Sequence, residues 1–164
     1  MLQLTKRTEY ALIALIHMVD RADAALPAEG EEPGAALASA REIGERFPIP
    51  RRVLAEVLKD LARTGLVTSQ RGAAGGYALA AAPEQTTVGD VVAALEGRPR
   101  LTGCESLPAY GSGGCEVESV CPIKDPIAAL RERLWELMQD TSLRDLATER
   151  SKRSLQAVLQ HHKP

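Results

Sequence analysis

The fold is decided by residues 39–79, which read SAREIGERFPIPRRVLAEVLKDLARTGLVTSQRGAAGGYAL. Ser39 can cap a short helix, and Glu42 stands three residues later, in the position of a capping box. Pro48-Ile49-Pro50 ends that helix, and residues 51–64 form a second one. Apolar residues at helical spacing give this second helix a buried stripe: Val53, Leu54, Val57, Leu58 and Leu61. Two short helices joined by a tight turn predict a helix-turn-helix.

A short β-hairpin follows the two helices. Residues 66–71 and 76–79 are strand-like, and they flank a glycine-rich turn at 72–75. A helix-turn-helix followed by a glycine-tipped hairpin is the outline of a winged helix. In such proteins the second helix enters the major groove, and the hairpin lies over the DNA backbone or the minor groove. The order of elements therefore predicts a reader of double-stranded DNA.

The local charge agrees with this prediction. Residues 41–71 carry seven basic and four acidic side chains, whereas the whole chain has a net charge of −2. Arginine can pair bidentately with guanine, and glutamate can accept a hydrogen bond from cytosine. The residues expected to contact DNA are Ser39, Arg41, Arg51, Arg52, Glu56, Lys59, Arg71, Gly72 and Gly75. The alternative for Arg51 and Arg52 is an ordinary solvated helix face.

Further helices flank this unit on both sides. Apolar spacing predicts a helix over residues 5–20, and residues 22–36 have the composition of a mobile surface insertion. Thr87 caps a helix that Gly97 closes, and Pro126 starts a long helix with one apolar stripe. That stripe suits either a dimer interface or an ordinary core helix, and its members are Ile127, Leu130, Leu134, Leu137 and Met138.

These elements define a mainly α (α+β) fold with four parts along the chain. We expect a winged helix-turn-helix domain over residues 1–96 and a cysteine-bearing loop over residues 97–122. Dimerisation helices follow over residues 123–150, the second of them containing Leu143 and Leu146, and a polar tail follows over residues 151–164.

Length and composition exclude several classes of protein. The 164 residues, of which 45% are hydrophobic and 26% charged, suffice for one folded domain with its own core. The longest apolar run, residues 11–16, is far too short to span a bilayer, so we expect no membrane segment and a cytoplasmic location. The sequence contains no nucleophile elbow, phosphate loop or nucleotide fingerprint, which argues against an enzyme.

Three cysteines, Cys104, Cys115 and Cys121, fall within one glycine-rich segment. An odd number argues against a closed disulfide framework, and the spacing lacks the paired C-x2-C knuckles of structural zinc sites. Three interpretations stay open, namely ordinary buried thiols, a thiol redox switch and a metal site. Thiolates favour zinc, copper(I) or iron–sulfur clusters. The carboxylates that could add a ligand are the local Glu105, Glu116 and Glu118 and the remote Glu9.

Four segments of the chain resemble the Rrf2 family of bacterial winged-helix transcription regulators. The stretch LTKRTEYAL at residues 4–12 is similar to the family's opening helix, and residues 49–67 are similar to its recognition helix. The most specific match is RGAAGGYAL at residues 71–79, which is close to the family's wing signature. A helix over residues 87–97, a three-cysteine loop and a long helix complete the order, so the resemblance covers about residues 1–148.

The resemblance implies a homodimer that is joined through its long helices, binds a double-stranded DNA operator and is expected to act as a repressor. In cluster-bearing members, three cysteines hold an iron–sulfur cluster that responds to redox state, nitric oxide or cluster supply. The alternative is a cluster-free member that acts as a thiol switch or through a protein partner.

The same resemblance implies a ligand set. IscR-like members place a histidine three residues after the third cysteine, where this chain has Lys124. NsrR-like members recruit an acidic residue from the first helix of the partner subunit, and the matching position here is Glu9. The implied ligands are therefore Cys104, Cys115, Cys121 and Glu9, with a two-iron cluster preferred over a four-iron one.

Overall fold

The structure, a computed structural model, describes residues 3–25, 37–72, 75–102 and 117–149. Its main elements, in chain order, are α1 (Lys6–Ala24), α2 (Ala40–Arg46), α3 (Arg51–Arg63), β1 (Val67–Gln70), β2 (Gly76–Leu79), α4 (Val88–Leu95), α5 (Lys124–Asp140) and α6 (143–149). One turn of 3-10 helix at Glu118–Val120 precedes α5.

Helix α1 begins where the sequence predicts but runs further. The Thr5 side chain accepts a hydrogen bond from a backbone N–H of the first turn and caps the helix. The predicted end was residue 20, with the insertion starting at residue 22, whereas the helix continues to Ala24. Arg144 from α6 binds Asp23 in this last turn, so a tertiary contact stabilises the extension. The remainder of the expected insertion, residues 26–36, lies outside the described residues.

Helices α2 and α3 form the predicted helix-turn-helix. Ser39 Oγ accepts a hydrogen bond from the Glu42 backbone N–H at 3.1 Å, which confirms the cap. The Glu42 carboxylate was expected to complete a capping box. Instead its Oε1 lies 3.0 Å from Nε2 of the buried His17 and 3.4 Å from Nε of Arg21. Glu42 therefore ties α2 to α1 rather than to its own N-terminus.

The apolar stripe of α3 faces the core as expected. Leu54, Val57, Leu58 and Leu61 are buried, whereas Val53 at the edge of the stripe is only half-buried. Gly65 ends the unit with φ +78°, a left-handed conformation that glycine adopts without steric strain.

Strands β1 and β2 pair in antiparallel register, with Val67 opposite Leu79 and Gln70 opposite Gly76. The hairpin is anchored to the domain by a bridge between Ala38 and Tyr77, whose backbone groups exchange two hydrogen bonds of 2.9 Å. A Cβ atom at Gly76 would lie 2.9 Å from the Ala38 carbonyl oxygen, so this close approach requires glycine.

Helix α6 packs into the winged domain. Thr87 closes a full capping box with Asp90 at the start of α4, and the Thr87 backbone also bridges Ser142. Beyond that bridge, Leu143 and Ala147 of α6 join the core formed by α1, α3, β1 and α4. The sequence had grouped this helix with the dimerisation helices, but its apolar residues help to close the core of the winged domain.

Helix α5 differs from the other α-helices described, because none of its residues is buried. It begins at Lys124, two residues before the predicted Pro126, since proline is tolerated in a first helical turn. Two leucines of its apolar stripe are widely exposed, Leu130 by 54% and Leu137 by 64%. Among the described residues, no helix has both the length and the apolar character needed to cross a membrane.

Candidate DNA interface and cysteine segment

The solvent-facing side of α3 carries the residues expected to read bases. Arg51 and Arg52 lie in its first turn, and the Arg52 side chain is 92% exposed. Glu56 lies one turn later, with its Oε1 3.2 Å from Nε of Arg52. The two side chains thus form a solvated pair that presents both hydrogen-bond donors and acceptors. Lys59 continues the exposed side of the helix after another turn.

Helix α2 places its predicted residues in two different roles. Arg41 is exposed and donates a hydrogen bond from Nε to Oε1 of Glu45 at 2.7 Å, which raises the pKa of its guanidinium. Ser39 uses its hydroxyl to cap α2, so its oxygen already has an intramolecular partner. A DNA contact by either residue stays a prediction.

The hairpin presents its predicted residues at the tip. Arg71 and Gly72 are exposed just beyond β1, and Gly72 has φ +124°, which disfavours any side chain. A Cβ atom at Gly75 would lie 2.3 Å from the Gln70 carbonyl oxygen, so the turn closes only with glycine there. Residues 73 and 74, at the centre of the tip, lie outside the described residues.

The cysteine segment is described only at its C-terminal end. Cys121 is a half-buried free thiol three residues before the start of α5, whereas Cys104 and Cys115 lie outside the described residues. Within the described ranges no three histidine, cysteine or acidic side chains converge as a metal site. The three thiols of the predicted donor set are chemically suited to a soft metal centre.

Glu9, the expected fourth ligand, lies in the first turn of α1. Its carboxylate accepts a hydrogen bond from the Lys6 ammonium, which raises the pKa of Lys6. The Glu9 side chain keeps about a third of its surface exposed, at 35%. The carboxylate is therefore accessible from solvent, and its role as a ligand stays a prediction.

The start of the cysteine segment is held by residues that the sequence analysis did not single out. The Glu96 carboxylate accepts hydrogen bonds from Thr5, at 2.9 Å from the backbone N–H and at 2.8 Å from the hydroxyl. Burial opposes ionisation of Glu96, but hydrogen bonds from Thr8 and Thr5 outweigh it and lower its pKa. The entrance to residues 97–122 is thereby fastened to the N-terminus of α1.

A second anchor joins this segment to α5. The guanidinium of Arg98 lies 4.9 Å from the centre of the Trp135 ring, and its Nη2 is 2.9 Å from Oε2 of Glu132. A cation over an aromatic face is attractive, and the carboxylate adds an ion pair. No spacing rule predicts these contacts, because their partners are more than thirty residues apart.

A basic cleft beside α3 could not be predicted from local spacing. Arg7 in the first turn of α1 contacts Asp60, and Arg63 Nη2 lies 2.8 Å from the other oxygen of the same carboxylate. The pairing of Asp60 with Arg63 follows from their spacing of three residues in a helix. The pairing with Arg7 depends on how α1 packs against α3.

The chain is similar to known proteins over most of its length. The sequence model of the Rrf2 family, described as iron-dependent transcriptional regulators, matches residues 4–149. A Rhodobacter capsulatus protein named as an rrf2-like HTH-type transcriptional regulator is 31% identical over 144 residues, which cover 87% of this chain and 91% of that protein.

Two solved structures share the fold. CymR, the global cysteine regulator of B. subtilis, has a TM-score of 0.65 at 24% identity, covering 91% of this chain and 98% of that one. IscR of T. potens has a TM-score of 0.62 at 22% identity, covering 90% and 88% respectively. At these identities the likeness concerns the fold alone.

Proposed function

Because the chain belongs to the Rrf2 family of DNA-binding transcriptional regulators, which are not enzymes, we propose that it binds operator DNA as a homodimer. Helix α3 would lie in the major groove and the hairpin over the adjacent backbone or minor groove. The observation that carries the proposal is the arginine pair Arg51 and Arg52, exposed at the N-terminus of a helix whose opposite side is buried. A base edge can approach these side chains without disturbing the core.

The pair formed by Arg52 and Glu56 supports sequence-specific reading. An exposed i,i+4 ion pair contributes little to stability, so its partners can exchange for base contacts at small cost. Arginine then donates to a guanine and glutamate accepts from a cytosine. Together they favour G·C base pairs within the half-site.

Dimerisation through α5 is supported by the exposed leucines Leu130 and Leu137. They lie seven residues apart on one side of the helix, where a second copy of α5 would cover both. A two-fold dimer places its two α3 helices in successive major grooves and binds a pseudo-palindromic operator.

The test of DNA binding starts from operators selected by the wild-type protein from a random pool. Fluorescence anisotropy then compares wild type with Arg52→Ala on the selected operator and on its single-base variants. Loss of a bidentate contact should reduce discrimination at one base pair by roughly 1–3 kcal/mol. Arg100→Ala removes an exposed arginine that lies outside α3, the wing and α5, and it serves as the matched control. If Arg52→Ala kept the wild-type affinity for the selected operator and for each of its variants, Arg52 would be excluded as a base-reading residue.

The wing is tested separately with Arg71→Ala. If Arg71 contacts a phosphate, binding weakens on all operators and the salt dependence of log K falls by about one. If Arg71 enters the minor groove, the loss depends on the A·T content beside the half-site. Wild-type affinity and salt dependence on every operator would remove Arg71 from the interface.

We further propose that the cysteine segment carries the signal-responsive group. Cys104, Cys115 and Cys121 would hold an iron–sulfur cluster, with Glu9 of the partner subunit as fourth ligand. A bound cluster supplies a redox-sensitive centre. Two observations support the proposal, namely the soft donor set and a family described as iron-dependent. Among the described residues, Glu96 and Arg98 connect the start of this segment to α1 and α5. A conformational change in the segment would therefore alter the position of the winged domain relative to α5.

Anaerobic purification with iron and sulfide analysis per subunit tests this proposal. Cys121→Ala should abolish visible absorption, whereas Glu9→Ala should leave a cluster that is bound but decays faster in air. Glu45→Ala is the control, because Glu45 is also a glutamate that pairs with a nearby basic side chain, that of Arg41. Iron-free wild-type protein after anaerobic purification and reconstitution would refute the cluster.

The second candidate is a cluster-free thiol switch. It is favoured by the half-buried free thiol of Cys121 and by the fold shared with CymR, whose name describes a cysteine regulator. A mild thiol oxidant should then change operator affinity of the iron-free protein, and Cys121→Ser should abolish that response. An iron-free protein that ignores the oxidant would exclude this candidate.

A further inference from the structure

An open cleft of about 330 Å³ lies between the first turn of α1 and the flank of α3. Its walls carry three cations, from Arg7, Lys59 and Arg63, against the carboxylates of Glu56 and Asp60. Since Glu56 is paired with an arginine outside the cleft, the local charge is more positive than the lining alone suggests. The cleft therefore attracts a small anionic group.

Asp60 organises the cations of this cleft. Its side chain is only 13% exposed and contacts both Arg7, from α1, and Arg63, from its own helix. A guanidinium has five N–H donors, so each arginine that binds Asp60 keeps donors for a second acceptor. A largely buried carboxylate that contacts two arginines keeps both guanidinium groups beside the cleft before any ligand arrives. Such preorganisation reduces the entropy lost on binding.

We propose that this cleft binds a phosphate group, with Arg7, Lys59 and Arg63 as its ligands and Asp60 as a positioning residue. Arginine forks match the paired oxygens of a phosphate, and lysine adds a point charge. The inference rests on the proposed function where the phosphate belongs to the operator. A free inorganic or nucleotide phosphate offers the same chemistry, and the experiment separates the two sources.

The position of the cleft favours the DNA backbone. Arg52, Lys59 and Arg63 are spaced by seven and four residues, so they follow one side of α3 from its first turn to its last. When the first turn of a recognition helix meets base edges, the flanking residues meet phosphates. The cleft then sets the register of α3 in the groove without reading sequence.

The first arm measures operator affinity across a range of salt concentrations. Arg7→Gln and Arg63→Gln should each lower the slope of log K against log salt by about 0.9 and weaken binding about fivefold at roughly 0.15 M salt. The loss should be equal on operator variants and on unrelated DNA, because phosphates carry no sequence. Arg100→Gln removes the same charge outside α3, the wing and α5, and it should leave the slope unchanged.

Asp60→Asn supplies the sharpest test because its two possible effects have opposite signs. The substitution adds one unit of positive charge, so a carboxylate that merely repels DNA would give tighter binding when removed. A positioning carboxylate gives weaker binding instead, with a slope reduced by between one and two. Circular dichroism and thermal unfolding verify that the variant folds. Tighter binding by Asp60→Asn would overturn its positioning role.

The second arm titrates inorganic phosphate into the DNA-free protein and follows its melting temperature. Saturable stabilisation of wild type that is lost in Arg7→Gln, together with unchanged salt slopes, would assign the cleft to a free phosphate. Unchanged slopes and no phosphate binding would overturn the inference. Failure of the wild type to select any DNA would refute the proposed function instead, while the phosphate titration would still decide the cleft.

Discussion

A double-mutant cycle on Asp23 and Arg144 should measure how firmly α6 holds the end of α1. The two side chains form a bidentate pair, with Nη1 2.7 Å from Oδ2 and Nη2 3.0 Å from Oδ1. Nε of Arg144 separately donates to Glu84 at 2.8 Å. The cycle combines Asp23→Asn with Arg144→Met. Arg144→Met removes the partner of Glu84 whether or not Asp23 is also changed. That loss therefore cancels in the cycle, and the coupling energy reports the pair of Asp23 and Arg144.

The expected coupling is about 1 kcal/mol. Asp23 is 46% and Arg144 32% exposed, so solvent screens the pair, and such pairs contribute roughly 0.2–1 kcal/mol. The two parallel hydrogen bonds place this pair at the upper end of that range. Its strength should fall as salt is raised, because exposed charges are screened.

The same pair gives a pH dependence with a defined sign. The hydrogen bond from Arg144 lowers the pKa of the Asp23 carboxyl. A group whose pKa is depressed by folding stabilises the protein above its unfolded value of about 3.9. The coupling should therefore be complete at neutral pH and should disappear as the pH falls below that value, through the lower pKa of the folded state.

Urea unfolding at fixed protein concentration provides the four free energies of the cycle, since dimerisation would otherwise shift them. The cycle is repeated at neutral pH in low and high salt and again in acid. The solvated α2 pair of Arg41 and Glu45 serves as comparison, with a smaller coupling expected. A coupling near zero in low salt at neutral pH, or one indifferent to salt and acid, would refute an electrostatic link.

Three further predictions concern the wing, the dimer and the contact between α4 and α5. Gly75→Ala should destabilise the domain by about 1–3 kcal/mol and weaken DNA binding, because its Cβ would lie 2.3 Å from a backbone oxygen; wild-type values in urea unfolding and anisotropy would contradict this. Leu137→Glu should shift a homodimer to monomer in analytical ultracentrifugation, and an unchanged mass would place the interface elsewhere. Gly89→Ala should change the melting temperature little, because alanine favours a helix interior and the atom that its Cβ would meet at 2.2 Å, Nε2 of Gln139, ends a flexible side chain; a marked loss of stability that Gln139→Ala restores would contradict this.

Much of the fold could be read from local sequence. Ser39 and Thr87 cap the helices that they were expected to cap, because a capping hydroxyl acts within three residues. The stripe of α3 was visible in its spacing, since burial on one helix side repeats every three to four residues. The glycines at the hairpin tip marked the wing for the same reason, as turn geometry depends on adjacent residues. Caps, apolar stripes and turns are determined by residues close in sequence, so they can be predicted without the tertiary structure.

The exposed side of α3, which is the candidate DNA interface, was also predictable. Arg51, Arg52 and Glu56 lie on the solvent side of α3 because Leu54 and Leu58 face the core. The sequence could nominate them as DNA contacts without any knowledge of the packing. The ligand role of Glu9 and the full cysteine set remain predictions, because they depend on residues and a second subunit beyond the described contacts.

Only the tertiary structure decided which distant residues meet. Local spacing assigned Glu42 to its own helix cap, yet packing of α1 against α2 turned its carboxylate to His17. Asp60 gained Arg7 as a second partner in the same way, and α6, which the sequence had grouped with α5, joined the core of the winged domain. The packing of whole helices decides which polar groups lie within hydrogen-bond distance of a given side chain. Periodicity along one helix predicts which side is buried, but it does not predict which residues of other helices pack there. These contacts are therefore visible only in the tertiary structure.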